Sequence, residues 1–369
     1  MSRLVSRSGG LAILVVALAL VAALTIAGSV SAKSTAPGAV KAKHPRVALL
    51  WPENVTPRWE SNDHPLIAKA LKKAIPGVRI DSLNALNNPA KQLSQAEAEL
   101  AKGAKVLIVA AIDGKAFGVE AKKAAKEGVK VIAYDRLISN APLAGLATFN
   151  SVTVGQVEAG WMKSHTKAGG RLAIINGSTT DANAHFVNQG IHKVLDPLFK
   201  SKARIKVAED WTPGWDPPTA QREMEQILTK TNNKVNGVVS ANDGMAGGII
   251  AALKAQGLQG KVPTTGQDAS KEGIQNVILG FQGVTAFKDI RLQANEAAKM
   301  AAAILKHKKL PGINGHTNNG TMKVPTWFGP VVAIDRTHLK TLVTDGWIKS
   351  QYGSVANVCK GLPKVSICK

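Results

Sequence analysis

A chain of 369 residues is long enough for two domains, because single hydrophobic cores stop growing near ~250–300 residues. Apolar residues at 45% and charged residues at 20% exclude a disordered polymer, while abundant Gly and Ala suit helices packed closely on sheets. The net charge of +22 favours anionic surroundings, but the lysines are spread along the chain without interleaved aromatics, which argues against nucleic acid.

Arg3 and Arg7 precede an apolar stretch from Leu11 to about Gly28, closed by Ser29-Val30-Ser31-Ala32-Lys33. This is the pattern of a secretory signal peptide over residues 1–32, cut after the small residue Ala32, and it predicts an extracytoplasmic location in the periplasm or at the exterior of the cell envelope. The apolar run approaches the ~18 residues at which a retained membrane anchor is the alternative. No cysteine stands at its end, so attachment through a lipid-modified N-terminal cysteine is not expected. Loss of residues 1–32 removes Arg3 and Arg7 and no acid, and the remainder stays strongly basic. Anionic cell-envelope polymers fit such an exported chain better than nucleic acid does, and a merely soluble basic face fits it equally. Residues 33–44, rich in Ala, Ser, Pro and Lys, read as an extended linker.

From about Pro45 strand and helix signals alternate. Val47 to Trp51 reads as a first strand, followed by a loop with Arg58-Trp59 and a helix from Pro65 to Ala74. Strands at Val78–Leu83, Val106–Ala111 and Val131–Tyr134 then alternate with helices at Ala90–Ala101 and Ala116–Glu127. Parallel pairing with right-handed crossovers follows from that order. After Leu143 to Phe149 a second series begins: a helix from Val154 to Lys167, strands near 172–175, 205–208, 235–240 and 262–265, and helices between them. The strand Val284–Phe287 and the helix Ile290–Lys306 would overfill the second sheet and are placed with the first. Residues 321–332 then cross back, and Leu339–Asp345 supplies a last helix. The expected fold is α/β: two similar lobes, each with a central mainly parallel sheet flanked by helices, joined by a three-crossing hinge. Residues 45–148 plus 284–322 form the first lobe, residues 149–283 plus 323–350 the second, and 351–369 the tail. Cys359 and Cys368 lie in that tail, and in an oxidising compartment with no histidine nearby a disulfide fits them better than a metal or a catalytic site.

The side chains with chemistry to offer fall at strand ends. Asp135-Arg136 follows the buried run Val131-Ile132-Ala133-Tyr134; a carboxylate that accepts beside a guanidinium that donates can grip vicinal hydroxyls. A surface ion pair ending a strand is the alternative. Trp215 sits in the rigid loop Trp211-Thr212-Pro213-Gly214-Trp215-Asp216-Pro217-Pro218, where an indole face suits the C–H face of a pyranose or forms a lid over the core. Asn242 ends another strand beside Asp243, which reads as the helix cap and leaves the Asn242 amide freer. Asn183, in Asp181-Ala182-Asn183, and Asp268, in Thr265-Gly266-Gln267-Asp268, repeat the arrangement, and Lys288 follows the strand Val284–Phe287. No metal-ligand spacing and no nucleophile elbow is present, and no cofactor is expected. Asp135 with Asp268 could be imagined as a glycosidase pair, but polar groups spread over two lobes fit capture better than attack.

Taken together, Tyr134-Asp135-Arg136-Leu137-Ile138, Ser240-Ala241-Asn242-Asp243-Gly244-Met245-Ala246-Gly247-Gly248, Gln256-Gly257-Leu258-Gln259-Gly260-Lys261-Val262 and Gly266-Gln267-Asp268-Ala269 resemble the type I periplasmic sugar-binding proteins of ABC importers, above all their xylose-binding members. The resemblance runs from Val47 to about Trp347. It implies a secreted, non-enzymatic monomer that binds a monosaccharide, xylose or a related aldose, and presents it to a membrane permease. It places Arg136, Asn183, Trp215, Asn242, Asp268 and Lys288 at sugar-contact positions, with Arg58 and Trp59 in a first-lobe loop and Asp135 supporting Arg136. Where the family has an aspartate-rich turn after the first strand, this chain reads Trp51-Pro52-Glu53-Asn54. A sugar-presenting sensory protein for a chemoreceptor or sensor kinase is compatible with the same residues, a secreted glycoside hydrolase less so. A DNA-binding regulator of the same fold would need a helix-turn-helix where the export signal stands.

Overall fold

The computed structural model describes residues 44–56, 58–363 and 366–368; the expected signal peptide and the linker up to residue 43 lie outside them. In chain order, β1 (Arg46–Trp51), α1 (His64–Ala74), β2 (Arg79–Asn84), α2 (Pro89–Ala101), β3 (Ala104–Val109), α3 (Phe117–Lys126), β4 (Lys130–Tyr134) and β5 (Gly145–Phe149) build most of the first lobe. The second lobe takes α4 (Ser151–His165), β6 (Gly170–Asn176), α5 (Ala182–Lys200), β7 (Arg204–Trp211), α6 (Pro217–Thr231), β8 (Gly237–Ser240), α7 (Asp243–Ala255), β9 (Thr264–Gln267), α8 (Lys271–Leu279) and β10 (Gln282–Lys288). The chain returns to the first lobe with α9 (Ile290–Leu305), β11 (Gly315–Asn318) and β12 (Lys323–Gly329). It finishes on the second with β13 (Val331–Asp335), α10 (Leu339–Thr344), α11 (Trp347–Tyr352) and α12 (Val355–Cys359).

Strand order is β11-β12-β5-β4-β3-β1-β2 in one sheet and β13-β10-β9-β8-β6-β7 in the other. Pairing is parallel except for β11 with β12 and β10 with β13. Strands buried on both faces explain the near-continuous apolar runs of the sequence. In the first sheet alternate residues serve opposite cores: Ala48, Leu50, Leu107, Val109, Val131 and Ala133 pack under α2 and α3. Val47, Leu49, Val106, Ile108, Ile132 and Tyr134 face α1 and α9.

Two lobe boundaries differ from those expected. Val284–Phe287 belongs to β10, which pairs in parallel with β9 and in antiparallel with β13, so this strand is part of the second sheet rather than the first. The premise of overfilling fails because an open sheet can grow outward strand by strand, here by β10 and then β13, as long as both faces are covered. Residues 323–329 form β12, which pairs with β5 and so extends the first sheet rather than the second. The chain therefore passes between lobes three times, at Asn150, at Asp289 and at Pro330.

The tail beyond β13 is more structured than a linker: Phe287, Ile290, Ile334, Leu339, Leu342, Trp347, Ile348 and Val358 share one apolar cluster with α8. A disulfide joins Cys359 to Cys368. Among the described residues no helix is long and apolar enough to cross a membrane.

Candidate ligand-binding site

The carboxyl ends of the strands in both sheets face the gap between the lobes, where open α/β sheets bind ligands. All nine side chains singled out in the sequence line one cavity there: Arg58, Trp59, Asp135 and Arg136 from the first lobe, and Asn183, Trp215, Asn242, Asp268 and Lys288 from the second. The cavity encloses about 380 Å³ of space not filled by atoms, part of it open to solvent. Thr56, Asp181 and Gln267 complete its wall.

The first-lobe half is a web of buried bonds. Arg58 donates from Nε to Asp63 Oδ2 at 2.9 Å, from Nη2 to Asp63 Oδ1 at 2.7 Å and to Gln293 Oε1 at 2.6 Å, and from Nη1 to Asp135 Oδ2 at 3.1 Å. Gln293 Nε2 returns a bond to Asp135 Oδ2 at 3.2 Å, and the Tyr134 hydroxyl bonds Asp63. Asp135 adopts φ +63°, so the chain kinks as it leaves β4. In consequence Asp135 and Arg136 both line the cavity, where an extended strand would send neighbours to opposite faces. Burial pushes the Asp135 carboxyl up, but Arg58, then Lys288 and Arg136, outweigh it and hold the group below the ordinary carboxylate range. Trp59 stacks on Trp51 with centroids 6.0 Å apart, and the Arg58 guanidinium lies 4.6 Å from its ring. Arg58 and Trp59 are not in a loop: Trp59–Asp63 forms a π-helical turn that runs directly into α1.

The second-lobe half hangs on turns and helix caps. Asp181 caps α5 by accepting from the Asn183 backbone, and Trp215 Nε1 donates to Asp181 Oδ2 at 3.2 Å. Trp215 itself has φ +58°, and its ring lies so close over Gly177 that a Cβ there would approach it to 2.3 Å. Asn242, rather than Asp243, is the N-cap of α7, its Oδ1 accepting from Met245 N at 2.8 Å, which leaves the amide nitrogen for the cavity. Asp243 points inward to Gln282, Ser270 and Thr285, and burial, then the charge of Asp268, pushes its carboxyl up to about 7. Asp268 and Ala269 both take left-handed angles, φ +98° and +48°, and Lys288 Nζ pairs with Asp268 Oδ1 at 2.9 Å.

Direct bonds join the two halves. Arg136 Nε meets Asp181 Oδ2 at 2.9 Å, and Asn183 Nδ2 donates to the Asp135 carbonyl at 3.0 Å and to its Oδ1 at 3.1 Å. The carboxylate partners of Arg136 are therefore Asp181 and, at longer range, Glu53, not Asp135, because the kink at Asp135 turns its acid toward Arg58. Asp181 was legible only as part of its Asp-Ala-Asn turn. Glu53, standing in the turn that departs from the family pattern, accepts from Trp59 Nε1 at 2.7 Å and meets Arg136 Nη2 at 3.4 Å. Asp63 and Gln293, both inside helical segments, carry no local signal. Three cations and three carboxylates line the cavity, and Asp135 and Asp268 are both already engaged by cations, which suits donation and acceptance to neutral hydroxyls and leaves neither as a free acid.

A family model described as a periplasmic binding protein domain matches residues 47–309. The chain is 34% identical over 328 residues to the D-xylose-binding periplasmic protein of Haemophilus influenzae, covering 88% of this chain and 96% of that one. It is also 34% identical to a multiple sugar-binding periplasmic receptor of Rhizobium radiobacter, over 89% and 97% of the two chains. Among solved structures, an ABC transporter solute-binding protein of Clostridium phytofermentans with bound β-D-glucose superposes with a TM-score of 0.74 at 30% identity, covering 88% of this chain and all of that one.

Proposed function

The chain belongs to the periplasmic sugar-binding proteins, a family that binds and does not catalyse, and from that premise we propose that it captures a xylose-like aldose between its lobes and delivers it to an ABC permease from an extracytoplasmic location. The observation that carries this reading is the convergence of Arg58, Trp59, Asp135, Arg136, Asn183, Trp215, Asn242, Asp268 and Lys288 on one cavity. Hydroxyl groups both donate and accept, and this wall alternates guanidinium, ammonium and amide donors with carboxylate acceptors. Trp215, braced against Gly177, offers an apolar plate beside them. A micromolar Kd corresponds to about −8 kcal/mol, within reach of several charge-assisted hydrogen bonds and one stacked indole after ordering costs. The ligand closes the lobes to the extent that it prefers the shut form.

Xylose is favoured by the xylose-binding relative at 34% identity, whereas the glucose-bound neighbour at 30% argues for a site that also admits hexoses. Titration with D-xylose, D-glucose, D-ribose and L-arabinose, read by tryptophan fluorescence and calorimetry, tests both. Saturable binding with xylose ahead of glucose is the expected result. Silence in both measurements across the panel would sink the proposal.

A further inference from the structure

In a parallel α/β lobe the starts of the strands and the ends of the helices lie together, at the end opposite the ligand cavity. In the first lobe that far end gathers basic residues. Arg79, Lys105 and Lys130 open β2, β3 and β4, strands set at a pitch of ~4.8 Å in the sheet, and all three are exposed. Lys102 and Lys126 close α2 and α3 on one face of the sheet, while Lys72, Lys73 and the loop Lys306-His307-Lys308-Lys309 close α1 and α9 on the other, all exposed. Of the acids there, Glu99 is buried and bonded by Lys102 at 2.6 Å and Asp81 pairs with Arg46, while Glu127 at the end of α3 is exposed and is outnumbered by the lysines around it.

The second lobe repeats the pattern. Lys234 and Lys261 precede β8 and β9, and Lys200, Lys202, Lys230 and Lys254 close α5, α6 and α7, again exposed. The helix macrodipole favours cations at helix ends and accounts for some of these positions. It does not account for basic residues at strand starts, nor for Lys308-Lys309 beyond the helix. Of the buried carboxylates, Asp135, Asp181 and Asp268 line the cavity, each beside a cation, so none of them offsets the lysines of the far ends.

We propose that the two far ends are docking faces for a linear phosphate-bearing polyanion of the cell envelope, engaged without occupying the sugar cavity. Lysine heads are point charges that neutralise phosphate without demanding a fixed geometry. Among the described residues, the exposed large apolar side chains of the first lobe are Val55, Leu86, Val119 and Leu292, which lie toward the cavity end, and at the far end of the second lobe Ile205 at the start of β7 stands among lysines, a single side chain rather than a bilayer-binding face. None of the exposed large apolar side chains among the described residues is aromatic, which removes the stacking platform that single-stranded nucleic acid uses.

The test is binding of the full chain to long-chain inorganic polyphosphate by fluorescence anisotropy across a salt series, with vesicles of phosphatidylglycerol and phosphatidylcholine in parallel. Two quadruple variants neutralise the ends: Lys105→Gln with Lys130→Gln, Lys308→Gln and Lys309→Gln, and Lys200→Gln with Lys202→Gln, Lys230→Gln and Lys234→Gln. Each is expected to weaken polyphosphate binding roughly tenfold and to flatten the log–log salt slope by up to ~0.7 per lysine removed. A control changes four exposed lysines elsewhere, Lys91, Lys115, Lys349 and Lys360, and is expected to stay within about twofold of the parent while xylose titration is unchanged in all three. Equal weakening by the control assigns the effect to net charge alone and overturns the proposal. So does binding to the vesicles without binding to polyphosphate, which would make the partner a membrane.

Discussion

The two halves of the cavity are held in different ways. On the first-lobe side Arg58 is bonded to Asp63, Asp135 and Gln293 at once, all of them buried, so each group is fixed by several others. On the second-lobe side Asn242 and Asp268 are fixed one by one, by a helix cap and by a turn of left-handed residues. A web of mutual bonds transmits the loss of any member to its neighbours, because a buried charge left without its partner is costly. A cap or turn localises the loss. Damage to the first half is therefore expected as lost stability, and damage to the second as lost affinity.

The largest test of this contrast is Arg58→Met. It strands Asp63 and Asp135 in a dry interior and is expected to cost ~3–5 kcal/mol in urea unfolding. A loss confined to sugar affinity would erase the distinction between the halves.

Next in size is a difference in pH response. The Asp243 carboxyl is pushed up to about 7 in the folded chain and titrates near ~3.9 when unfolded, so between these values the unfolded form releases a proton that the folded form keeps. Its contribution to stability is full below ~4 and is lost as pH rises toward 7, by at most ~1.4 kcal/mol per pH unit. Asp135 has the opposite sign: its folded value is lowered, so its contribution is present above ~3.9 and is lost as pH falls through the folded value. Urea unfolding across the weakly acidic range should show the Asp243 slope in the parent and a flatter slope in Asp243→Asn. Identical slopes would mean that the buried acid is ionised throughout.

Asp268→Asn tests the second half directly. Removing the charge opposite the buried Lys288 is expected to weaken sugar binding by ~1.5–3 kcal/mol, about ten- to a hundredfold, with a smaller fall in thermal midpoint than for Arg58→Met, because Lys288 keeps the field of Asp135. A midpoint that falls as far as it does for Arg58→Met would place Asp268 in a stability web of its own. The smallest expected effect is that of Tyr352→Phe. The Tyr352 hydroxyl and Trp347 Nε1 both donate to the Ala269 carbonyl, at 2.9 and 3.2 Å, bracing the turn that carries Asp268. Losing one donor should cost ~1 kcal/mol and loosen sugar binding severalfold, readable in the same titration.

Alternation of strand and helix was legible because each strand is a short apolar run and each helix an amphipathic one, and the residues at strand ends could be marked because open α/β sheets gather ligands there. The lobe membership of β10 and β12 was not. A strand reads the same whichever sheet accepts it, and Val284–Phe287 carries nothing local that names its neighbours. The partners of Arg58 were hidden for a related reason: Gln293 lies 235 positions away and meets it only through the packing of α9 against α1. Asn242 and Asp243 exchanged roles because adjacent Asn and Asp are equally able caps, and only the backbone angles, φ −158° at Asn242, decide between them.

The three interlobe passages are unequal in freedom. Asn150 and Asp289 each precede a helix whose first turn they cap, so both can rotate at the cap while the helices stay whole. The third is a lone proline between two strands, with its ring holding φ near ~−65°. A tether fixed in φ is the expected pivot, about which a swing of the lobes would grow with distance. Strands β2 and β7, each at the opposite border of its sheet, then sweep the widest arc as the cleft admits or releases its guest.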